Sequence, residues 1–340
     1  MDSLTHAAVG AAIGEGVGGR ELGNKAPALG ALIGMAPDID YIVALFFSDA
    51  AQLSIHRTYT HSVLALMIVT VLAGWIVHRR GNKARISWQR GAALAGLAYG
   101  SHLVLDLMTS YGVQVLLPFT DTPFAFYNIA IIDPLVTLPV AVGVLYALFL
   151  TREHRRRRIA VGIGLGLSAL YLSWSLFAQQ QAQSAFEEAL ARNDVEVTRS
   201  FVKPTVFNTI LWRGLAETED GYVHGFYSLF DEEAFEQLDR TPKNHHFIDD
   251  VRDEKHVRHL LRNMQGYYRV KQDESGVRSI VDMRFGRASE WAETPSPYVF
   301  EFQLVEREDG SITVEQIQRS FREARDRPDF GAMWSRITGR

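Results

Sequence analysis

His102 and Asp106 stand four residues apart in the apolar stretch GLAYGSHLVLDLMTSYG. On a helix that spacing puts an imidazole and a carboxylate on one face, and the two make half of a site for Zn²⁺ or a similar divalent ion. His56 and His61 lie in HRTYTHS at the start of an earlier apolar stretch. Asp38 and Asp40, in APDIDY, follow Pro37, where an interrupted helix can offer two carboxylates from irregular backbone. His6, in LTHAAVG, begins the first apolar run, and Asp133 opens a later one inside IIDPL, where it could also simply cap a helix. Ionisable groups inside apolar segments are costly, so a set of them arriving at one level reads as a functional cluster. Arg57 sits among them. Its planar fork suits a phosphate or a carboxylate, and an interfacial arginine is the equal alternative. The competing explanation for the whole set is a polar network that holds small-residue helices together.

The chain contains no cysteine, which excludes disulfide scaffolds, thiolate zinc sites and cysteine nucleophiles and leaves any metal to His and carboxylates. His245 and His246 with Asp249 and Asp250, and His256 with His259, have ligand-like spacing, but in a polar stretch where they read as surface groups. His78 and His154 flank basic loops. The glycine-rich start lacks the Lys-Ser/Thr ending of a phosphate loop, and no Gly-x-Ser-x-Gly elbow occurs.

The elements that must position these groups divide the 340 residues into two materials. Residues 1–178 carry 13 Lys+Arg against 10 Asp+Glu, net +3, and residues 179–340 carry 22 against 29, net −7. An apolar half joined to a polar half excludes both a single soluble domain and a chain that is membrane throughout. The overall charge of −4 argues against nucleic acid as the main partner. Four stretches, 61–77, 91–108, 129–150 and 159–178, are apolar and approach the about 20 helical residues that cross a hydrocarbon core of ~30 Å. Loops 79–90 and 151–158 hold five basic residues each and 109–128 holds none, so the positive-inside rule places the first two in the cytoplasm and everything after Ala178 outside. Ala7, Ala8, Gly10, Ala11 and Gly14 let helix backbones approach closely. Residues 4–36 therefore read as a helical hairpin that dips into the membrane, turning at 18–25 and ended by Pro37. With acidic Asp2 and no basic start, this segment does not read as a signal peptide.

The fold class expected is an α-helical membrane domain, 1–178, of four transmembrane helices plus the hairpin, then a linker or helix at 179–193 and a soluble, β-rich α+β domain at 194–340. Its strands are expected at 195–202, 207–217, 221–228, 266–271, 277–285 and 298–306, with a helical insert near 231–262. Turns are expected at Glu219-Asp220-Gly221 and Asp309-Gly310, and a core around Trp212, Trp291 and Trp334.

MDSLTHAAVGAAIG, GALIGMAPDIDYI, HRTYTHSVL and GSHLVLDLMTSYG, in this order and at these separations, resemble the bacterial inner-membrane metal-dependent hydrolases of the YdjM type, a family described as LexA-regulated. The likeness covers about the first 150 residues, and FNTILWRGLAETEDGYVHGFYSLFD with VDMRFG looks like the C-terminal extension of some members. An early His, an early Asp, a further His and a helical His-x-x-x-Asp are more distantly similar to the zinc-dependent phospholipase C and P1 nuclease superfamily, which cleaves phosphoesters with a zinc cluster. That resemblance implies His6, Asp38 or Asp40, His56 or His61, His102 and Asp106 as metal ligands.

The expectation is a multi-pass, zinc-type metal-dependent hydrolase of the bacterial inner membrane, with its site at the outer face, a periplasmic C-terminal domain, and a lipid or other phosphoester as substrate. His6, Asp38, His56, His61, His102 and Asp106 would bind metal. Asp40 would act as base or orient a ligand, and Arg57 would hold the phosphate. The competing expectation is a non-catalytic membrane scaffold or ion-handling protein with a structural His/Asp cluster.

Overall fold

A computed structural model describes residues 1–47, 52, 55–80, 86–291, 296–308, 310–317 and 329–339. Within the basic loop 79–90, residues 81–85 lie outside the described residues, as does Asp309 of the Asp309-Gly310 turn.

Asp2 caps the first helix, α1 (Ser3–Leu22), by accepting from the Thr5 amide at 3.0 Å. After a turn at Gly23 and Asn24 the chain returns as α2 (Lys25–Gly34). A methyl added to Gly10 would strike the Gly30 carbonyl, and one added to Gly30 the Gly10 carbonyl, so the two backbones touch where only glycine fits. The turn is tighter than the 18–25 expected, because α1 continues through Glu15 and Gly18 with both buried inside it. Pro37 then falls in a 3₁₀ turn, Ala36–Asp38, followed by α3 (Ile39–Ala44), and the chain bends there by 49°. Proline lacks the N–H that would extend the α2 ladder.

The helices α4 (Val63–Arg80), α5 (Trp88–Leu107), α6 (Pro134–Leu148) and α7 (Arg155–Arg192) complete the helical region. α4 and α7 are long and apolar enough to cross a membrane, and the bent pair Lys25–Gly34 with Ala36–Ala44 would be a third such span. α6 is apolar but has 15 residues, because Asp133 caps it through the Leu135 amide at 3.0 Å and Pro134 starts it.

The chain divides into two compact units. One comprises Met1–Val43, Ile55–Leu176 and Val206–Asn208, the other Ala44–Ser54, Phe177–Thr205 and Thr209–Arg340. The core of the first is built on Ala12, Ile129, Val136 and Val140, all fully buried.

The second unit holds two antiparallel four-stranded sheets, β1 (Arg199–Pro204) to β4 (Leu238–Pro242) and β5 (Tyr268–Gln272) to β8 (Ile312–Gln316), each in sequence order. Between them in the chain lies α8 (Lys255–Asn263), and α9 (Phe330–Ile337) follows β8. Phe186, on the last turns of α7, lies against Gly214 of β2 (Leu211–Glu217), where any side chain would collide with its ring. Phe186, Val202, Trp212 and Ala216 form a buried core there. In the second sheet Val257 and Leu260 of α8 pack on Val270, Ile280 and Phe302.

Two expectations fail in this unit. The insert near 231–262 is not purely helical: Leu238–Pro242 pairs with Gly221–Gly225 of β3 (Gly221–Ser228), and its sequence LDRTP carries no apolar alternation to announce a strand. Trp334 is 67% exposed on α9 rather than part of a core, while Trp212 is fully buried. Trp291 is partly buried and donates its indole N–H to the Asp329 carbonyl at 2.9 Å.

Candidate metal centre

Three segments far apart in sequence supply the cluster. The 3₁₀ turn and α3 carry Asp38 and Asp40, the segment before α4 carries His56, Arg57 and His61, and one face of α5 carries His102 and Asp106. His61, His102 and Asp106 are fully buried, and the Asp38 side chain is 22% exposed.

His61 Nε2 and His102 Nε2 face each other at 3.1 Å. Asp106 Oδ2 lies 3.4 Å from the first and 3.5 Å from the second, and Asp38 Oδ1 lies 3.6 Å and 3.5 Å from them. The opposite ring nitrogens settle the tautomers. His102 Nδ1 is 2.7 Å from the Gly34 carbonyl, which can only accept, so this nitrogen carries the hydrogen. His61 Nδ1 is 3.1 Å from Asp40 Oδ2 and 3.1 Å from Thr60 Oγ1, whose own hydrogen goes to Asp40 Oδ2 at 2.7 Å. It is a donor too.

Neutral rings held this way present lone pairs at both Nε2 atoms. Two imidazole lone pairs and two carboxylate oxygens then surround one point with no donor among them, and Asp106 Oδ2 is buried without a hydrogen-bond partner. Such a point requires a cation, either a proton on one ring or a metal ion. Imidazoles oriented through Nδ1 by a carbonyl or a carboxylate are held as metal-binding imidazoles are. Asp38, His61, His102 and Asp106 each offer a ligand atom, all within 4.8 Å of one another, so the donor set fits a metal ion.

Asp40 has a different part. Its Oδ1 accepts from His56 Nδ1 at 3.0 Å, and its Oδ2 accepts from the Arg57 amide at 3.0 Å as well as from Thr60 and His61. Arg57 has a left-handed φ of 60°, a conformation that costs a non-glycine residue about 1–2 kcal/mol. It is held there by the bond to Asp40 and by the Gln114 amide, which donates to its carbonyl at 3.2 Å. The Arg57 guanidinium donates to Asp106 Oδ1 and to Thr109 Oγ1, each at 3.2 Å, and lies 4.8 Å from the centre of the Tyr111 ring. His6 stacks on His102 at 3.6 Å, with its Nε2 3.2 Å from Asp106 Oδ1, and the Met1 amino group donates to the same oxygen.

The residues singled out in the sequence therefore gather, but not in equal roles. Asp38, His61, His102 and Asp106 form one group; His56 joins Asp38 and Asp40 in a second that shares Asp38; His6 and Arg57 bind the far oxygen of Asp106. Asp133 stays apart, capping α6 and accepting from the Tyr171 hydroxyl at 2.8 Å. His245 bonds the Tyr268 carbonyl and Asp250 pairs with Arg278, and neither belongs to a metal-type group among the described residues. Sequence reasoning missed Thr60, the Gly34 carbonyl, Thr109, Tyr111 and Tyr99, whose hydroxyl donates to the Thr60 carbonyl. Of these only Thr60 carried a signal, as a hydroxyl between two histidines in HRTYTHS.

A second ionic centre was not legible at all. Arg157, in the basic segment 151–158, is 1% exposed. Its Nε and Nη2 donate to Glu15 Oε1 at 2.8 Å and Oε2 at 2.7 Å, and its Nη1 donates to Asn24 Oδ1 at 2.8 Å and the Leu150 carbonyl at 2.6 Å.

Candidate membrane spans and a buried His/Asp cluster able to hold a metal ion define a membrane protein with a metal-binding capacity in its helical unit. The chain belongs to the YdjM inner membrane protein family, whose profile matches residues 1–182. It is similar to the uncharacterised protein YfhP of Bacillus subtilis (strain 168), 29% identical over 156 residues, which is 43% of this chain and 47% of that protein. The chain thus spans about half the length of this relative. No solved structure matches it.

Proposed function

We propose that this protein is a membrane-bound, zinc-dependent hydrolase of phosphoesters, lipid phosphoesters among them, held in the inner membrane by four spans with its C-terminal unit on the outer side. The observation that carries the reading is the meeting of four acceptor atoms around one buried point. Zinc–ligand distances of about 2.0–2.2 Å correspond to tetrahedral edges of about 3.3–3.6 Å. The separations of 3.1, 3.4, 3.5, 3.5 and 3.6 Å among the four atoms lie close to that range. Two nitrogens with two carboxylate oxygens suit a borderline cation.

A bound divalent ion supplies an activated water near neutral pH and offsets charge on the attacked phosphoryl group. The chain's own residues do the rest. Asp40 and the Gly34 carbonyl hold His61 and His102 in the tautomers that leave Nε2 free. Arg57 donates to Asp106 and has a fork suited to a phosphate oxygen. Exposed Ile39, Ile42 and Val43, beside Asp38 and Asp40, make an apolar border that suits a lipid. The basic loops 79–90 and 151–158 support the orientation.

A second reading, a metal-stabilised scaffold, is favoured by one feature. All four atoms come from the protein, as in closed structural sites, whereas catalytic sites keep a position open. Asp38, the only partly exposed member, is the corner that a water or substrate oxygen could share. Elemental analysis of the purified protein together with a phosphoester panel separates the readings. Bound metal with hydrolysis supports the enzyme, bound metal with no turnover of any ester supports the scaffold, and a metal-free, inactive protein sinks both.

A further inference from the structure

Two ion pairs and one unpaired amine meet in the second unit. Arg213 of β2 donates to both carboxylate oxygens of Glu290 and to the Met283 carbonyl. Arg284 donates from Nε and Nη2 to Asp282. Both arginines are 2% exposed. Lys203 of β1 stands directly opposite Arg213 in the register of the two strands, and side chains so paired share one face with Cβ atoms about 4.5–5.5 Å apart. Its Nζ and the Arg284 Cζ lie over the same ring, 5.0 Å and 5.5 Å from the centre of Phe285. Each guanidinium thus has its carboxylate, and the lysine is the group left over. Other lysines are held differently: Lys243 is 2.8 Å from Glu217 Oε1, Lys271 is 2.7 Å from Glu301 Oε1, and Lys25 and Lys255 are exposed. Lys203 is only partly exposed and makes no hydrogen bond or ion pair among the described residues. Burial of its amine end lowers the ammonium to about 7; Arg213 and Arg284 push the same way, and Glu290 and Asp282 oppose them without prevailing. An amine desolvated beside other cations is the form in which lysine is a nucleophile near neutral pH.

We infer that Lys203 is a nucleophilic amine that condenses with small aldehydes, a reactive site that the hydrolase reading does not use. The Nζ lone pair bonds to the carbonyl carbon, and the carbonyl π pair moves onto oxygen. A proton passes from nitrogen to that oxygen, giving a carbinolamine. The nitrogen pair then forms the C=N bond, the C–O bond breaks with its electrons on oxygen, and the second nitrogen proton leaves with that oxygen as water. The products are an imine on Lys203 and one water, with no oxidant or reductant consumed. Aldehydes are the class that suits the site. A partly exposed amine is reached by a small, unhindered carbonyl, and a neutral imine adds no charge beside two ion pairs that are already matched.

Propanal with cyanoborohydride, which reduces an imine to a stable secondary amine, tests this on the full chain in detergent, with the propylated lysines read by peptide mass spectrometry. At pH 7 Lys203 should be modified about 10- to 100-fold faster than Lys25 and Lys255, because ordinary lysines hold fewer than about one amine in 10³ unprotonated there, an advantage partly offset by the weaker basicity of Lys203. The ratio of Lys203 to Lys255 should fall as the pH is raised towards about 10, where the exposed lysines also lose their protons. In urea-unfolded protein the advantage should vanish. The wild-type chain carries the whole test, so no variant has to fold. Modification of Lys203 no faster than that of Lys25 and Lys255 at pH 7, a ratio that does not change with pH, or an advantage that survives unfolding would each overturn the inference.

Discussion

The Glu15–Arg157 pair and the His/Asp cluster are both buried in the helical unit, and they satisfy their charges in opposite ways. In the first, both carboxylate oxygens receive a guanidinium N–H and the remaining Nη1 donates to Asn24 and to the Leu150 carbonyl. Donors and acceptors match. In the second, two carboxylate oxygens and two imidazole lone pairs meet with no donor between them. Desolvating an ion pair costs roughly what its attraction returns, so a matched pair works as a clamp, here from the α1–α2 turn to the start of α7. An unmatched set persists only with a cation in its midst, a proton or a metal ion.

The contrast breaks most visibly at the ligands. His102→Ala and Asp106→Asn should each abolish bound divalent metal and any hydrolysis that depends on it, whereas Glu15→Gln should leave the metal count untouched; elemental analysis of the three proteins decides. If Asp106→Asn stays metal-replete, the four-atom site is wrong, because the amide keeps the shape and removes only the anionic oxygen.

At the clamp the expected loss is in stability. Glu15→Gln leaves the Arg157 charge buried without its partner and should cost about 3–5 kcal/mol, while the double change Glu15→Met with Arg157→Met should recover most of it. Denaturation in detergent checks both. A double variant as unstable as the single one would mean that the pair does more than cancel its own charges.

A smaller effect belongs to Asp40→Asn, which weakens the orientation of His61 without removing a ligand atom. Metal affinity should fall about 10–100-fold, with metal still bound at saturating concentration. Competition with a chelator reads this, and complete loss of metal would place Asp40 among the ligands instead.

The smallest effect tests the other half of the chain. Burial alone would raise the Glu217 carboxyl, but hydrogen bonds from Lys243 and Arg199 reverse that and hold it below its ordinary 4.5. Burial likewise raises Glu290, and the Arg213 charge beside it turns the shift downward. Carboxylates with depressed values in the folded state contribute stability that is fully present above their unfolded values and is lost as the pH falls through the folded ones. The second unit should therefore weaken below pH 4.5, and Glu217→Gln should flatten that dependence in urea titrations at pH 7 and pH 3. An unchanged slope would mean that the pair is no stronger than in the unfolded chain.

How far these features could be read beforehand depends on how local their causes are. His102 with Asp106, HRTYTHS and APDIDY were legible because each sets polar groups in an apolar stretch, where burial without purpose is expensive. The α1–α2 hairpin was legible because glycine and alanine repeat along its faces. The directions of Asp38 and Asp40 were not fixed locally, since Asp38 ends the 3₁₀ turn and Asp40 lies in α3, so the bend at Pro37 decides them. Glu15 lay in the first hairpin arm and Arg157 in a basic loop; 142 residues separate them, and nothing local to either announces the other. β4 escaped notice for a different reason: LDRTP is recruited by its neighbour's edge and not by its own apolar pattern.

What the sequence determined by itself is the division into an apolar and a polar half, the absence of thiol chemistry, and the inventory of His and Asp on helical or broken-helical backbone. Tertiary structure alone decided which atoms converge and which nitrogen of each ring is left open. The Gly34 carbonyl that orients His102 is 68 residues from it, and His61 is 41 residues from the imidazole it faces. Helical periodicity sets the face on which a side chain emerges; it carries no information about the backbone carbonyl of another helix, and that distant acceptor is what turns each lone pair towards the common point.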